Sequence, residues 1–285
     1  MQAELESEYA EISCRNEYDP LQRVVVCSPK YMEIKKIINE TQKLYKEENI
    51  DVDIAMDQHR EFVQVLKDHQ IDVIELTPEP KFHEQVFTRD IGYVIGPELI
   101  VSQMGQAVRI HEVDVLKRAL DDRSISYLQF EQKSMEGGDV IIDGDKVWVG
   151  ISDRTTYQAV EALQELLPSH QVTAVPIEKR ILHLDCAFNI VGRETALIYP
   201  EAFEQKEYQL LASHYHLIEI PKEEELTLGT NVLAIGNNKI ISMPQNKQVN
   251  QQLREKGYTV IEVDFSEIIK SGGSFRCCSL PLLRR

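Results

Sequence analysis

Two hydrophobic rhythms alternate along this chain. A helix-period pattern runs into a β-branched stretch at "FVQVLKDHQIDVIEL", and again at "VLKRALDDRSISYLQF", "ALQELLPSHQVTAVPI", "QLLASHYHLIEI" and "QQLREKGYTVIEV". The predicted strand centres fall near Ile74, Tyr127, Thr173, Leu217 and Val260, separated by 53, 46, 44 and 43 residues. A period of that size marks supersecondary units that are stacked or set in a ring. After most of these strands, two apolar runs broken by a turn signal predict a β-hairpin: "DIGYVIGPELIVS", "DVIIDGDKVWVGIS", "AFNIVGRETALIYP" and "NVLAIGNNKIISMP". The fifth copy offers only "GGSFRCCSLPL", while "LQRVVVCSP" near the N-terminus has no hairpin partner. Pairing the two would close a ring and remove exposed sheet edges. The pattern therefore predicts one α/β domain over residues 1–285, a five-bladed propeller with helices outside and hairpins inside. Two further helices are expected between Met32 and Gln70, packed on that ring.

Composition narrows the class. With 285 residues, 42% of them hydrophobic, the chain can bury a sizeable core without staples. The acidic start "MQAELESEYAEISCRNEYD" lacks the basic and apolar regions of a signal peptide, and no apolar run approaches membrane-spanning length, so a soluble cytoplasmic protein with no membrane partner is expected. The five cysteines, Cys14, Cys27, Cys186, Cys277 and Cys278, are odd in number and scattered, unlike a disulfide framework. A net charge of -16 opposes a nucleic-acid partner and suits either plain solubility or a cationic ligand.

The chemistry-bearing residues precede the predicted hairpins. "FTRD" ends at Asp90, "MEGGD" carries Glu136 and Asp139, "HLDC" carries His183 and Asp185, "GTN" ends at Asn231 and "GGSFRC" ends at Cys277. In a ring of like units, equivalent positions converge on the axis. Thiol, imidazole and carboxylate are the groups needed to attack an unreactive sp² carbon. Asp90 and Asp185 could receive a planar guanidinium in bidentate fashion. Asp139 and Asn231 are expected to satisfy backbone donors in their turns. The spacing of Cys, His and Asp lacks the paired gaps of a zinc site, so neither metal nor organic cofactor is expected.

In that order and across nearly the whole chain, "FTRD", "EGGD", "HLD" and "GGSFRCCSLPL" resemble the guanidino-group-modifying enzymes: arginine deiminase, dimethylarginine dimethylaminohydrolase and the amidinotransferases, which share the pentein fold. The resemblance implies Cys277 as nucleophile, His183 as general acid and base, and Glu136 as the carboxylate that partners histidine and guanidinium. It implies Asp90 and Asp185 as guanidinium binders, and Arg109 and Arg154 as grips for the α-carboxylate of an amino-acid substrate. The implied reaction is hydrolysis of a C–N bond in methylated arginine or arginine through a covalent thiouronium, with a homodimer as a further expectation. An amidinotransferase uses the same triad with an amine in place of water. A non-enzymatic interaction protein is a third reading, because the same propeller occurs in a translation factor that lacks the triad. Cys278 is expected to pack behind the nucleophile, pointing away from it along an extended strand.

Overall fold

The computed structural model describes residues 11–131 and 133–285; the acidic residues 1–10 lie outside them. Five three-stranded sheets share one plan. One contains β1 (Leu21–Cys27) between β2 (Asp72–Leu76) and β15 (Leu280–Arg284). The next is β3 (Gly92–Ile95), β4 (Glu98–Val101) and β5 (Leu128–Gln129), followed by β6 (Val140–Asp143), β7 (Lys146–Ile151) and β8 (Gln171–Pro176). The last two are β9 (Phe188–Gly192), β10 (Thr195–Ile198) and β11 (His216–Glu219), then β12 (Leu233–Gly236), β13 (Lys239–Ser242) and β14 (Thr259–Glu262). Each sheet pairs an antiparallel inner strand with a middle strand, and the middle strand with a parallel outer one. A parallel step needs a crossover, supplied by α1 (Glu40–Tyr45) with α2 (Val52–Asp68), α3 (Glu112–Asp121), α4 (Tyr157–Leu166), α5 (Gln205–Ala212) and α6 (Lys247–Glu255) in turn. This is the five-bladed α/β propeller that the repeat predicts.

Burial explains the composition of each strand. Inner strands such as "GYVI", "LAIG" and "LPLLR" are buried along their whole length and read as continuous apolar runs. Outer strands are more open: "DVIEL" mixes buried and exposed positions, and "TVIE" is half-buried at its centre and exposed at both ends. The ring closes as expected: β15 lies antiparallel to β1 with Val25 opposite Leu280, and β2 lies parallel on the other side with Val24 opposite Val73. At the fourth hairpin Asn237 and Asn238 both take positive φ, 51° and 57°, the geometry of a tight hairpin turn that asparagine tolerates. A Cβ on the preceding Gly236 would lie 2.3 Å from the Cα of Pro20, so only glycine fits there.

The Met32–Gln70 stretch holds two helices, as expected, the first of them short. α1 is only six residues long, because its N-cap is Asn39, whose side chain accepts the N–H of Gln42. Residues 32–39 instead run as irregular chain across the ring. α2 behaves as expected, burying Ala55, Phe62 and Leu66, with Phe62 edge-on to Phe265 at 5.3 Å. Among the described residues, no helix is long and apolar enough to cross a membrane.

Because Leu282 is fully buried in the closing strand, Leu282→Ala is expected to cost about 2–5 kcal/mol in urea denaturation. Leu128→Ala, on an exposed outer strand, is expected to stay within about 0.5 kcal/mol.

Candidate active site

The five predicted points do sit at the entry to the five inner strands. Asp90 lies two residues before β3, Glu136 and His183 cap short 3₁₀ turns before β6 and β9, Asn231 lies two residues before β12, and Cys277 three before β15. All are buried. They form two joined groups. In the first, His183 Nε2 lies 2.8 Å from Glu136 Oε2, and its Nδ1 faces Asp90 Oδ1 at 3.5 Å. In the second, Cys277 Sγ lies 3.5 Å from Asp185 Oδ2 and receives the Asn231 side-chain N–H at 3.1 Å. The groups are tied through the two-residue step from His183 to Asp185 and through the Arg89 N–H, which donates to the Cys277 carbonyl at 3.0 Å.

Glycine makes the crowding possible at two places. A Cβ on Gly138 would fall 2.6 Å from His183 Nδ1 and 2.9 Å from Asp90 Oδ1. A Cβ on Gly273 would fall 2.4 Å from the Phe87 ring and 2.9 Å from the Cys277 Cβ. Asp139 does what its turn position suggests, accepting the Leu184 N–H at 2.9 Å and the Ser152 hydroxyl at 2.7 Å, and so fixes the segment that carries His183.

The electrostatics follow from burial set against pairing. Burial alone favours neutral imidazole, but the carboxylates of Asp90, Asp139 and Glu136 together outweigh it and push His183 up to about 10. Burial likewise favours protonated Glu136, and the opposing hydrogen bond and charge of His183 hold it down to about 2. Burial raises Asp90 despite the cations His183 and Arg109 beside it. Cys277 is pushed well above the usual thiol range by burial, by the neighbouring Cys186 thiol and by the charge of Asp185. The resting site is therefore an imidazolium beside carboxylates and a neutral thiol. The donors of Asp90, Glu136 and His183 lie within 4.8 Å of one another, as do those of Asp185, Cys186 and Cys277. In the first set the charges answer one another, proton-bearing imidazole to carboxylate, without calling for an ion.

The two arginines depart from the expected picture. Arg109 does not stand open as a carboxylate grip: its guanidinium reaches Asp90 Oδ2 at 2.5 Å and Glu112 Oε2 at 2.9 Å, two buried acids that take up its charge. Arg154 donates to the Ile38 carbonyl and lies 3.8 Å from Glu136 Oε1, leaving its NH1 without a hydrogen bond. Asp90 Oδ1 and His183 Nδ1 are also buried without a hydrogen-bond partner. Such orphan atoms, clustered at the entry points, mark where a polar ligand would be satisfied.

Asn231 satisfies backbone donors as expected, the N–H groups of Cys277 and Ser274 at 3.1 and 3.2 Å, and in addition reaches the Cys277 sulfur. Other site residues escape a sequence reading. Arg276, next to the candidate nucleophile, binds Asp185 at 2.7 Å. The N-cap and first turn of α1 are tied to the residues before Cys277: Gln42 donates to Glu84 and to the Ser271 hydroxyl, both at 2.7 Å, and Asn39 donates to the Ser271 carbonyl at 2.9 Å. Cys278 packs in the core as expected, but for a different reason: residues 276–279 form a turn rather than a strand, with the Cys278 N–H donating to the Ser274 carbonyl at 2.9 Å.

The His183–Glu136 pair sets a stability window. Glu136, lowered from 4.5, contributes fully above pH 4.5 and loses that contribution as pH falls toward about 2. His183, raised from 6.5, contributes fully below pH 6.5 and loses that contribution as pH rises through about 10. The stability gap between wild type and His183→Gln is therefore expected to be largest near pH 4.5–6.5 and to shrink toward pH 10, as read by urea midpoints across pH. A gap that does not change with pH would refute the charged pair.

Comparison with known proteins places the chain in a family. The family model described as "N,N dimethylarginine dimethylhydrolase, eukaryotic" matches residues 28–284. The chain is 50% identical over 271 residues to the uncharacterized protein YkgA of Bacillus subtilis, covering 95% of each. It is 24% identical over 229 residues to the N(G),N(G)-dimethylarginine dimethylaminohydrolase of Pseudomonas aeruginosa, covering 79% of this chain and 87% of the relative. Among solved structures, the amidinotransferase SxtG of the saxitoxin pathway in Microseira wollei superposes with a TM-score of 0.84 at 18% identity, over 96% of this chain and 97% of that one. With the family match running from the end of β1 through β15 and covering Asp90, Glu136, His183 and Cys277, the chain belongs to the dimethylarginine dimethylhydrolase family, pentein-fold enzymes that act on guanidino groups.

Proposed function

We propose that this protein hydrolyses a C–N bond of a guanidino substrate, methylated arginine or arginine, with Cys277 as nucleophile. The observation that carries this reading is the buried convergence of Cys277, Asp185, His183, Glu136 and Asp90 at the blade entries, with Asp90 Oδ1 and His183 Nδ1 lacking hydrogen-bond partners. A guanidinium seated between Asp90 and Asp185 satisfies the first of these and supplies the positive charge that lets the neutral Cys277 thiol ionise, its proton passing to solvent because His183 already carries one. The thiolate then attacks the guanidinium carbon. The C–N bond to the amine breaks, and His183 gives the departing amine its proton. His183, now neutral, takes a proton from water as that water attacks the thiouronium. The C–S bond breaks, leaving a ureido product and the Cys277 thiolate. Glu136 holds the imidazole through Nε2 and stabilises its charged form.

The far end of the substrate meets a charged mouth in which cations outnumber acids. A cavity of about 210 Å³ is lined by Arg154, Lys43, Lys179 and Arg180 against the acids Glu40 and Asp153. An α-carboxylate suits this lining, with the unpartnered NH1 of Arg154 as its inner contact. Arg109 joins as a second grip only after exchanging its contact with Asp90 for the substrate's guanidinium. Entry also requires residues 37–42 to move, since they bridge Arg154 and Ser271 over the buried groups. The family's named compound favours dimethylarginine as the first substrate to try.

Incubation with dimethylarginine, monomethylarginine, arginine and agmatine, followed by a ureido assay, is expected to show turnover of at least one. Cys277→Ala and His183→Ala are each expected to lower it by about three orders of magnitude or more. Glycine or lysine added as acceptor distinguishes a transferase, which would yield a new guanidino compound. No product from any of the four, with Cys277→Ala indistinguishable from wild type, refutes the enzyme reading for these substrates.

A further inference from the structure

We propose that Cys186 and Cys277 form a reversible disulfide when the protein meets a peroxide, a modification that takes the nucleophile out of action and keeps it recoverable. Cys186 has no part in the hydrolysis above, yet it stands beside the residue that does. The two sulfurs lie within 4.8 Å of one another, and each is 3.6 Å from the same atom, Asp185 Oδ1. A disulfide needs a sulfur separation of about 2.05 Å, so the remaining gap is a matter of side-chain rotation and small backbone adjustment.

Access separates the two thiols. Cys277 is buried, whereas Cys186 is half-buried and lines a cavity of about 330 Å³ with Leu182, Leu228 and Gly272. An oxidant entering that cavity meets Cys186 first. Cys278, although adjacent to Cys277 in sequence, is fully buried in the core, does not line this cavity, and has its N–H committed to the turn closed by Ser274. Proximity in the fold therefore selects Cys186 over the neighbour in sequence.

The step balances with hydrogen peroxide as oxidant. The Cys186 sulfur, its proton passing to Asp185, attacks one peroxide oxygen; the O–O bond breaks, the departing hydroxide recovers the proton, and water leaves behind a sulfenic acid. The Cys277 sulfur then attacks Cys186 Sγ. The S–O bond breaks and the hydroxide leaves as a second water, carrying the Cys277 proton. Two thiols have lost two hydrogens, and peroxide has become two waters. A dithiol reverses the bond by exchange. Without a partner, a sulfenic acid on Cys277 would go on to sulfinic acid, which a dithiol cannot restore.

The bond itself does not depend on which substrate the site accepts; only its effect on turnover rests on Cys277 being the nucleophile. Reduced protein is treated with hydrogen peroxide in the presence of a metal chelator and digested with trypsin. The peptides ILHLDCAFNIVGR and CCSLPLLR are expected to appear linked, fragmentation placing the bond at Cys277. Dithiothreitol should separate them, and Cys278→Ser should link as wild type does. Cys186→Ser should give no link, and should accumulate sulfinic acid on Cys277 as wild type does not. Where a substrate is turned over, Cys186→Ser is expected to match wild type before oxidation and to recover about tenfold less activity after dithiothreitol. A bond between Cys277 and Cys278, or sulfinic Cys277 in wild type with no link to Cys186, overturns the proposal. Because the peptide readout needs no substrate, absence of turnover in every assay counts against the hydrolase reading alone, and the linked peptides still decide whether the disulfide forms.

Discussion

Charges on the axis of this ring have no water to fall back on, and the Arg276–Asp185 pair is where their matching is decided. One guanidinium nitrogen of Arg276 holds Asp185 at 2.7 Å; the other holds Glu17 at 3.0 Å and the Val140 carbonyl at 2.9 Å. Glu17, which burial would protonate, is kept down to about 2 by Arg276 and Arg89. A buried pair of this kind adds little against an apolar substitute, but removing one member strands the other at a cost of several kcal/mol. One side chain thus fastens the N-terminal segment to the entry points of three blades. It also fixes the carboxylate against which Cys277 rests.

The same matching shapes the candidate site. His183, Glu136, Asp90 and Arg109 form an alternating run of charges, in which Asp90 Oδ1 and His183 Nδ1 still have no hydrogen bond. Under the proposed reaction, a guanidinium substrate would reach Asp90 by displacing Arg109 from it, which would give selectivity for guanidinium a physical source. A compact ammonium offers a point charge, whereas a planar fork can replace, bond for bond, the one already there.

How much of this was legible in the chain depended on what each feature answers to. The repeat of helix and strand was visible because hydrophobic periodicity is local, and "LQRVVVCSP" could be matched to "GGSFRCCSLPL" because each lacked a partner. Asp90, Glu136, His183 and Cys277 stood out as equivalent points of one repeat. Arg109 was harder: its neighbours Glu112 and Asp90 are acids from different parts of the chain, and nothing in "MGQAVRIHE" says that both are buried. The proximity of Cys186 to Cys277 was hidden for the same reason, since they lie on different blades. Where the two helices between Met32 and Gln70 begin was not legible, because Arg154 and Ser271, distant in sequence, bind Ile38 and Asn39 as open chain.

The position of Cys277 three residues ahead of β15 has a consequence for how the protein comes into being. β15 is the strand that locks the first and last blades together, so it can dock only when β1 is already in place. The sulfur is drawn onto the axis by that same event. A chain with the ring open has its acids, imidazole and thiol on separate, loosely related pieces, none of which can cooperate. Closing the ring and gathering the buried thiol, imidazole and carboxylates are therefore the same structural event.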